Sequence, residues 1–112
     1  MDDLSASMII KALDGLSTRA SATAENIANA RTPHYRPLRV SFERALAAAA
    51  PLGPAAVGKV HATIEQSPTS AGAMRLDLEV QTAASTALRY SALIDILGRQ
   101  MQLESMAIKG SD

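Results

Sequence analysis

Small and apolar side chains fall at Ile9, Leu13, Leu16, Ala20, Thr23, Ile27 and Ala30, alternating steps of four and three. That spacing predicts a helix over residues 4–31 with a seam of period 3.5 along one side. Asp2 and Asp3 suit its N-terminus, both as caps and as charges complementary to the helix dipole. The seam thins from Leu and Ile to Ala and Thr toward its end, so helices can approach closely there while burying less apolar surface.

A second long helix is predicted over residues 77–108, with Asp77 as N-cap and Lys109-Gly110 as the stop. Val80, Ala83, Ala87, Tyr90, Ile94, Leu97, Met101 and Ile108 fall on another seam of the same period, interrupted at Glu104. Ala84, Leu88, Ile96, Leu103 and Ala107 lie off it. One partner helix covers one stripe, so two stripes predict packing from two sides, by the same chain and by other subunits. Gly98 costs about 1 kcal/mol relative to Ala inside a helix, and a close backbone approach would explain it. Asp95 and Arg99 are spaced as an i,i+4 ion pair.

Between the helices the pattern loosens. Phe42, Ala45 and Leu46 predict a short helical turn, and the Ala/Pro/Gly-rich stretch from Ala47 to Gly58 reads as an exposed linker unable to build a core. Lys59 to Glu65 alternates polar and apolar residues, predicting an extended segment with Val60, Ala62 and Ile64 on one side. Ser67-Pro68-Thr69-Ser70-Ala71-Gly72 closes it with a loop.

Bulk properties narrow the function. At 112 residues the chain is one domain, 1–112, whose core partners can complete. Lys+Arg and Asp+Glu are equal at 11 each, which removes the basic footprint of a nucleic-acid or anionic-membrane binder. No Cys exists to make disulfides, and aromatic residues are 3 %, too few to organise a core. The acidic Met1-Asp2-Asp3 start and the polar residues after it do not make a secretory signal, so Ala20-Ser21-Ala22 is not expected to be a cleavage site. No run reaches the roughly 20 apolar residues of a membrane span.

The chemical motifs are thin. Gly53-Pro54-Ala55-Ala56-Val57-Gly58-Lys59 matches the phosphate-binding loop until its last position, where Val60 supplies no hydroxyl for Mg²⁺. An Ala-rich linker precedes it where a buried strand is required. His34 and His61 lack partners at metal-ligand spacing, and no nucleophile elbow is present. Neither catalysis nor a cofactor or metal is expected.

The informative stretch is Ala24 to Arg36. It starts as helix and must leave the helical conformation at Thr32-Pro33. Asn26 and Asn29 share a helical face, where amides are poor helix formers unless something meets them. The run Asn26-Ile27-Ala28-Asn29, followed by Thr32-Pro33 and Tyr35-Arg36, resembles the N-terminal signature of bacterial flagellar axial proteins, an Asn-x-Ala-Asn helix end leading into Thr-Pro-Gly-Tyr and a basic residue. Leu76-Asp77-Leu78-Glu79 and Ala87-Leu88-Arg89-Tyr90 resemble the FlgB-type proximal rod members. The similarity covers both ends, leaves about Leu46 to Ala73 unmatched, and is broken at His34, where the pattern has Gly.

The resemblance implies a subunit of the periplasmic proximal rod, the shaft that transmits motor torque. It also implies type III export without a cleaved signal. The implied partners are further copies, other rod subunits, proteins of the junction with the MS ring, and the flagellar type III export apparatus. Asn26, Ile27, Asn29, Thr32, Pro33, His34, Tyr35 and Arg36 are expected to set the turn and its packing. Leu88, Arg89, Tyr90, Ile94, Leu97 and Met101 are expected on the assembly helix. Gly after Thr-Pro implies a turn with positive φ, which His34 would have to adopt. The expected fold is mainly α, with long N- and C-terminal helices paired like a coiled coil around an irregular, partly extended middle, 32–75. The competing expectation is a soluble coiled-coil adaptor or export chaperone that binds one partner helix, and a nucleotide-dependent enzyme rests on Gly53 to Lys59 alone.

Overall fold

The computed structural model describes residues 1–70 and 74–110. Two long helices dominate it: α1, Asp3–Ala28, and α4, Leu76–Gly110. At 1.5 Å per residue the 35 residues of α4 extend about 50 Å, which sets the long axis of a molecule measuring 63 × 26 × 14 Å. The helices run antiparallel, with Asn26 of α1 beside Glu79 of α4 and the Met1 ammonium 3.3 Å from Glu104. Asp2 caps α1 by accepting the Ser5 N–H at 2.6 Å, a bond that holds its carboxyl below the ordinary range. Asp77 is not the N-cap of α4. It lies in the first turn, paired with Arg75 at 2.7 Å.

The middle folds against α1. Strand β1, Leu38–Ser41, pairs antiparallel with β2, Thr63–Gln66, placing Leu38 opposite Gln66 and Val40 opposite Ile64. Between the strands lie helix α2, Glu43–Ala49, one 3₁₀ turn at Ala50–Leu52, and the short helix α3, Pro54–Gly58. The extended segment therefore begins at Thr63, later than its sequence suggests. Val60 and Ala62 still pack on the core, but Ile64 is exposed. The Ala71-Gly72 end of the following loop lies outside the described residues.

The Ala-rich stretch does build the core. Leu16, Phe42, Leu46, Ala49 and Val57 form its buried centre, and Val57 is wholly enclosed. Ala repeats read as linker because Ala contributes little apolar area. Here they let α2 and α3 approach α1 closely enough to bury Leu46 and Val57, which supply the area. Arg19 locks this layer from α1. Its guanidinium donates to both Glu43 oxygens at 2.7 Å and to the Val40 carbonyl at 2.9 Å, and it lies 4.9 Å from the Phe42 ring centroid. Arg19 pulls the Glu43 carboxyl down to about 2, so it stays charged across ordinary pH.

The seam of α4 differs from the expected one. The side chains that lose solvent are Glu79, Ala83, Thr86, Leu93, Leu97 and Gln100, a spacing of four and three carried largely by polar or small residues. Val80, Ile94 and Met101, expected on the intramolecular seam, are exposed, and so are Leu88, Ile96 and Leu103. Leu97 and Ala83 alone of the expected seam are substantially covered. On α1, Ala20 is likewise exposed. The Asp95–Arg99 pair forms at 3.2 Å on the surface. Nothing approaches Gly98, so a close intramolecular contact does not account for that glycine.

Gly15 is the residue that lets Phe42 reach the core. A Cβ placed there would overlap the Phe42 ring, which is itself 5 % exposed. Gly15→Ala gains about 1 kcal/mol of helix propensity but forces a buried aromatic to shift, at a cost of about 1–3 kcal/mol. The expected outcome is net destabilisation with loss of the Arg19–Phe42 stacking. Denaturant unfolding of Gly15→Ala beside Gly15→Ala/Phe42→Leu checks it, because the smaller partner should recover part of the loss.

Candidate functional site

The end of α1 and the segment after it make one junction. Asn26 is 1 % exposed and all of its amide hydrogen-bonding capacity is used. Its Nδ2 donates to the Leu38 carbonyl at 2.9 Å and to Glu79 Oε2 at 3.1 Å. Its Oδ1 accepts from the Leu38 N–H at 2.8 Å and from the Tyr35 hydroxyl at 2.7 Å. One amide thus ties α1 to the turn, to β1 and to α4. Glu79 is buried as well, and its Oε1 accepts from Arg39 at 2.6 Å. Desolvation pushes the Tyr35 phenol above its ordinary value, with the Glu25 and Glu79 carboxylates adding to the shift, so Tyr35 remains a protonated donor.

Asn29 closes α1 from within. Its Nδ2 donates to the Glu25 carbonyl at 2.9 Å, and its Oδ1 accepts from the Thr32 hydroxyl at 3.0 Å. The two amides therefore serve different ends, Asn26 in the interior and Asn29 at the helix terminus. The Tyr35 N–H reaches the Thr32 carbonyl at 3.3 Å, closing a four-residue turn with Pro33 second and His34 third. His34 has φ 64, the only positive φ among the described non-glycine residues. Pro followed by positive φ is the pattern of a type II turn, which explains why glycine fits that position. Arg36 donates to Gln66 Oε1 at 2.8 Å and the Ser67 N–H to the Pro37 carbonyl at 2.7 Å, tying the turn to the far end of β2. Ile27 is half-buried, while Thr32, Pro33 and His34 are exposed.

The residues expected on the assembly helix divide between two environments. Leu97 is half-buried on the side facing α1. Leu88, Ile94 and Met101 are exposed at 72 %, 46 % and 63 %, and Arg89 is exposed beside them. Tyr90 lies at the margin of the covered seam. Sequence reasoning missed Glu79, Arg39 and Leu38 as members of the junction. The alternation Leu38-Arg39-Val40-Ser41 was the available signal for the strand that carries two of them.

The phosphate-loop-like stretch folds as the short helix α3, preceded by a 3₁₀ turn and not by the strand that a phosphate-binding loop follows. Its N–H groups at Val57, Lys59 and Val60 donate to the Gly53, Ala56 and Val57 carbonyls, and the Val57 side chain is core. Among the described residues, no three His, Asp or Glu side chains converge as metal ligands, and no helix is long and apolar enough to cross a membrane. The site is a structural junction joined to a long helix with uncovered apolar flanks. Comparison with known proteins found no matching family, no matching curated protein and no matching solved structure.

Two outcomes test the junction. Asn26→Asp removes the donor to Glu79 and sets a second carboxylate 3.1 Å away. Burial and like charge raise the pair's folded pKa above the unfolded value, so the folded state holds the extra proton near neutrality and the variant loses stability as pH rises through that window. The deficit against the parent protein, about 3 kcal/mol at pH 7, should shrink toward about pH 4, whereas that of Asn26→Ala should not. Urea unfolding across pH separates them.

At the turn, His34→Gly should be nearly neutral, since relief of left-handed strain is offset by the larger unfolded-state entropy of glycine. His34→Val should cost about 1–3 kcal/mol, because a β-branched residue resists positive φ. Thermal unfolding of the two variants checks this, and a tolerated Val beside a damaging Gly would mean that the turn is held by the His34 side chain.

Proposed function

We propose that this chain is a structural subunit of the proximal rod of the bacterial flagellum, polymerising through its terminal helices into the torque-transmitting shaft. The observation that carries the reading is the role of the motif that resembles the axial-protein signature. Asn26, Asn29, Thr32, Tyr35 and Arg36 are the residues whose side chains order the end of α1 and bind it to β1, β2 and α4. A torque-bearing subunit needs a helix pair whose relative position is held by bonds that do not slip. A buried amide with directional partners meets that need better than a smooth apolar seam, which tolerates sliding.

The exposed apolar flanks of α4 support the same reading. Val80, Leu88, Ile94, Ile96, Met101 and Leu103 are each at least 46 % exposed on one helix, and exposed apolar patches mark interaction surfaces. Neighbouring subunits of a rod would cover it. In this reading the subunit reaches the periplasm through the flagellar type III export apparatus, without a cleaved signal. It then meets copies of itself, other rod subunits and the proteins that join the rod to the MS ring.

Purified basal bodies are expected to contain the protein, and deletion of its gene to abolish motility. A protein found outside basal bodies, held one-to-one by a single partner, would support the adaptor reading instead. Leu88→Asp should leave the helicity of the free protein unchanged while blocking incorporation. Leu97→Asp should lower that helicity as well as block incorporation, since Leu97 is half-buried on the side facing α1. Circular dichroism read beside swarming motility distinguishes the two, and equal loss of helicity would contradict the division of faces.

A further inference from the structure

The two strands of the sheet differ in what covers their outer edges. The Ser67 N–H donates to the Pro37 carbonyl and Leu38 stands opposite Gln66, so the bonds between the strands run through Arg39 with Glu65 and Ser41 with Thr63. Leu38, Val40, Ile64 and Gln66 therefore turn their main-chain groups outward. On β1 that edge is sealed by α1. Asn26 donates to the Leu38 carbonyl at 2.9 Å and accepts from its N–H at 2.8 Å, as a neighbouring strand would, and Arg19 donates to the Val40 carbonyl at 2.9 Å. On β2 the outward N–H and carbonyl groups of Ile64 and Gln66 have no partner among the described residues. The whole of β2 is exposed, and it carries no Pro, Lys or bulge, which commonly blunt a sheet edge.

The space beside this edge has its own shape and charge. A groove of about 290 Å³ runs between Leu38 and Ile64 on one side and Thr18, Ser21 and Glu25 of α1 on the other. Glu25 is the only charged residue lining it, and its carboxylate has no hydrogen-bond or ion-pair partner among the described residues. Arg36, at the same end, donates to the Gln66 side chain at 2.8 Å and does not line the groove. Ile64, 54 % exposed, supplies an apolar side chain.

We propose that the outer edge of β2 takes a short extended segment of another protein, added antiparallel as a third strand, with an apolar residue opposite Ile64 and a Lys or Arg two residues before it. Main-chain groups offered at every second residue are matched by extended backbone, and directly opposed residues share one face of the sheet. The residue opposite Ile64 lies over Thr18 and Ser21. The one opposite Gln66 lies toward Glu25, which adjoins Asn26 and is thus level with Leu38. A second copy of β2, paired antiparallel through these groups, sets its Ala62, Ile64 or Gln66 there, and none of these is a cation. This inference goes beyond the rod reading and does not depend on it.

The test uses the full chain and a capped peptide, Ser-Thr-Lys-Thr-Val-Thr-Ser, with binding read by amide exchange and chemical shift. The Ile64 and Gln66 amides should gain protection, while that of Glu65, already bonded within the sheet, should not. N-methylation of the peptide Val removes an edge hydrogen bond and should weaken binding about tenfold or more, whereas N-methylation of the Thr before it should be tolerated. A peptide with Glu in place of Lys should bind the parent chain worse and Glu25→Lys better. Silence of both amides up to about 1 mM peptide, or equal effects of the two N-methyl groups, would overturn the proposal. So would protection of Ile64 and Gln66 without peptide: if it rises with protein concentration the edge belongs to a second copy, and if it persists on dilution the chain covers its own edge. Each result stands whatever basal-body fractionation shows.

Discussion

A buried side-chain amide must have all of its partners at once. A single hydrogen bond contributes only about 1 kcal/mol net, but each buried group left unpaired costs about 1–3 kcal/mol. Asn26 binds the Leu38 backbone through both its N–H and its carbonyl, and binds Tyr35 and Glu79 as well. The turn, the first strand and the start of α4 therefore hold one another in place. Displacing any one of them exposes the remaining polar groups to an interior without water. Arg39 completes the arrangement by neutralising Glu79, whose carboxylate would otherwise be costly at that depth.

The hydrophobic core lies elsewhere, between α1 and the α2–α3 segment, and α4 sends only Leu93 against it. The two faces of α1 consequently do different work. One buries Leu16 with Phe42, Leu46 and Val57, a burial that drives folding. The other meets α4 through Glu79, Ala83, Thr86 and Leu97, contacts that fix position and contribute less apolar burial. The long helix is thus held by directional bonds at its start and by a surface ion pair near its end, at Glu104. A helix held this way leaves Val80, Leu88, Ile94, Ile96, Met101 and Leu103 exposed, and the proposed assembly role rests on that surface.

Much of the outline was legible in the chain. Period-3.5 spacing located both long helices to within a few residues. Pro33 marked the end of the first, and the resemblance to a Thr-Pro-Gly-Tyr turn implied the positive φ found at His34. The importance of Asn26 was visible because an amide in a helix interior is unfavourable unless something binds it. Its partners were not visible, since Leu38 and Glu79 lie 12 and 53 residues away and no local pattern encodes that approach.

The misreadings have a common cause. Ala47 to Gly58 looked like linker because composition reports side-chain volume and is blind to how closely backbones approach, so the burial of Val57 could not be anticipated. The period of 3.5 places Val80, Ile94 and Met101 on one seam of α4, yet all three are exposed. Apolarity does not decide the inward face where a polar network fixes the rotation of the helix, as Asn26, Glu79 and Arg39 do here. The sequence by itself determined where helices start, stop and turn, because those depend on spacing, caps and allowed φ within a few residues. Only the tertiary structure decided which face of α4 points inward, because that choice is set by Asn26 and Arg39 meeting Glu79 across the fold, and a period can say that a stripe exists but not what stands opposite it.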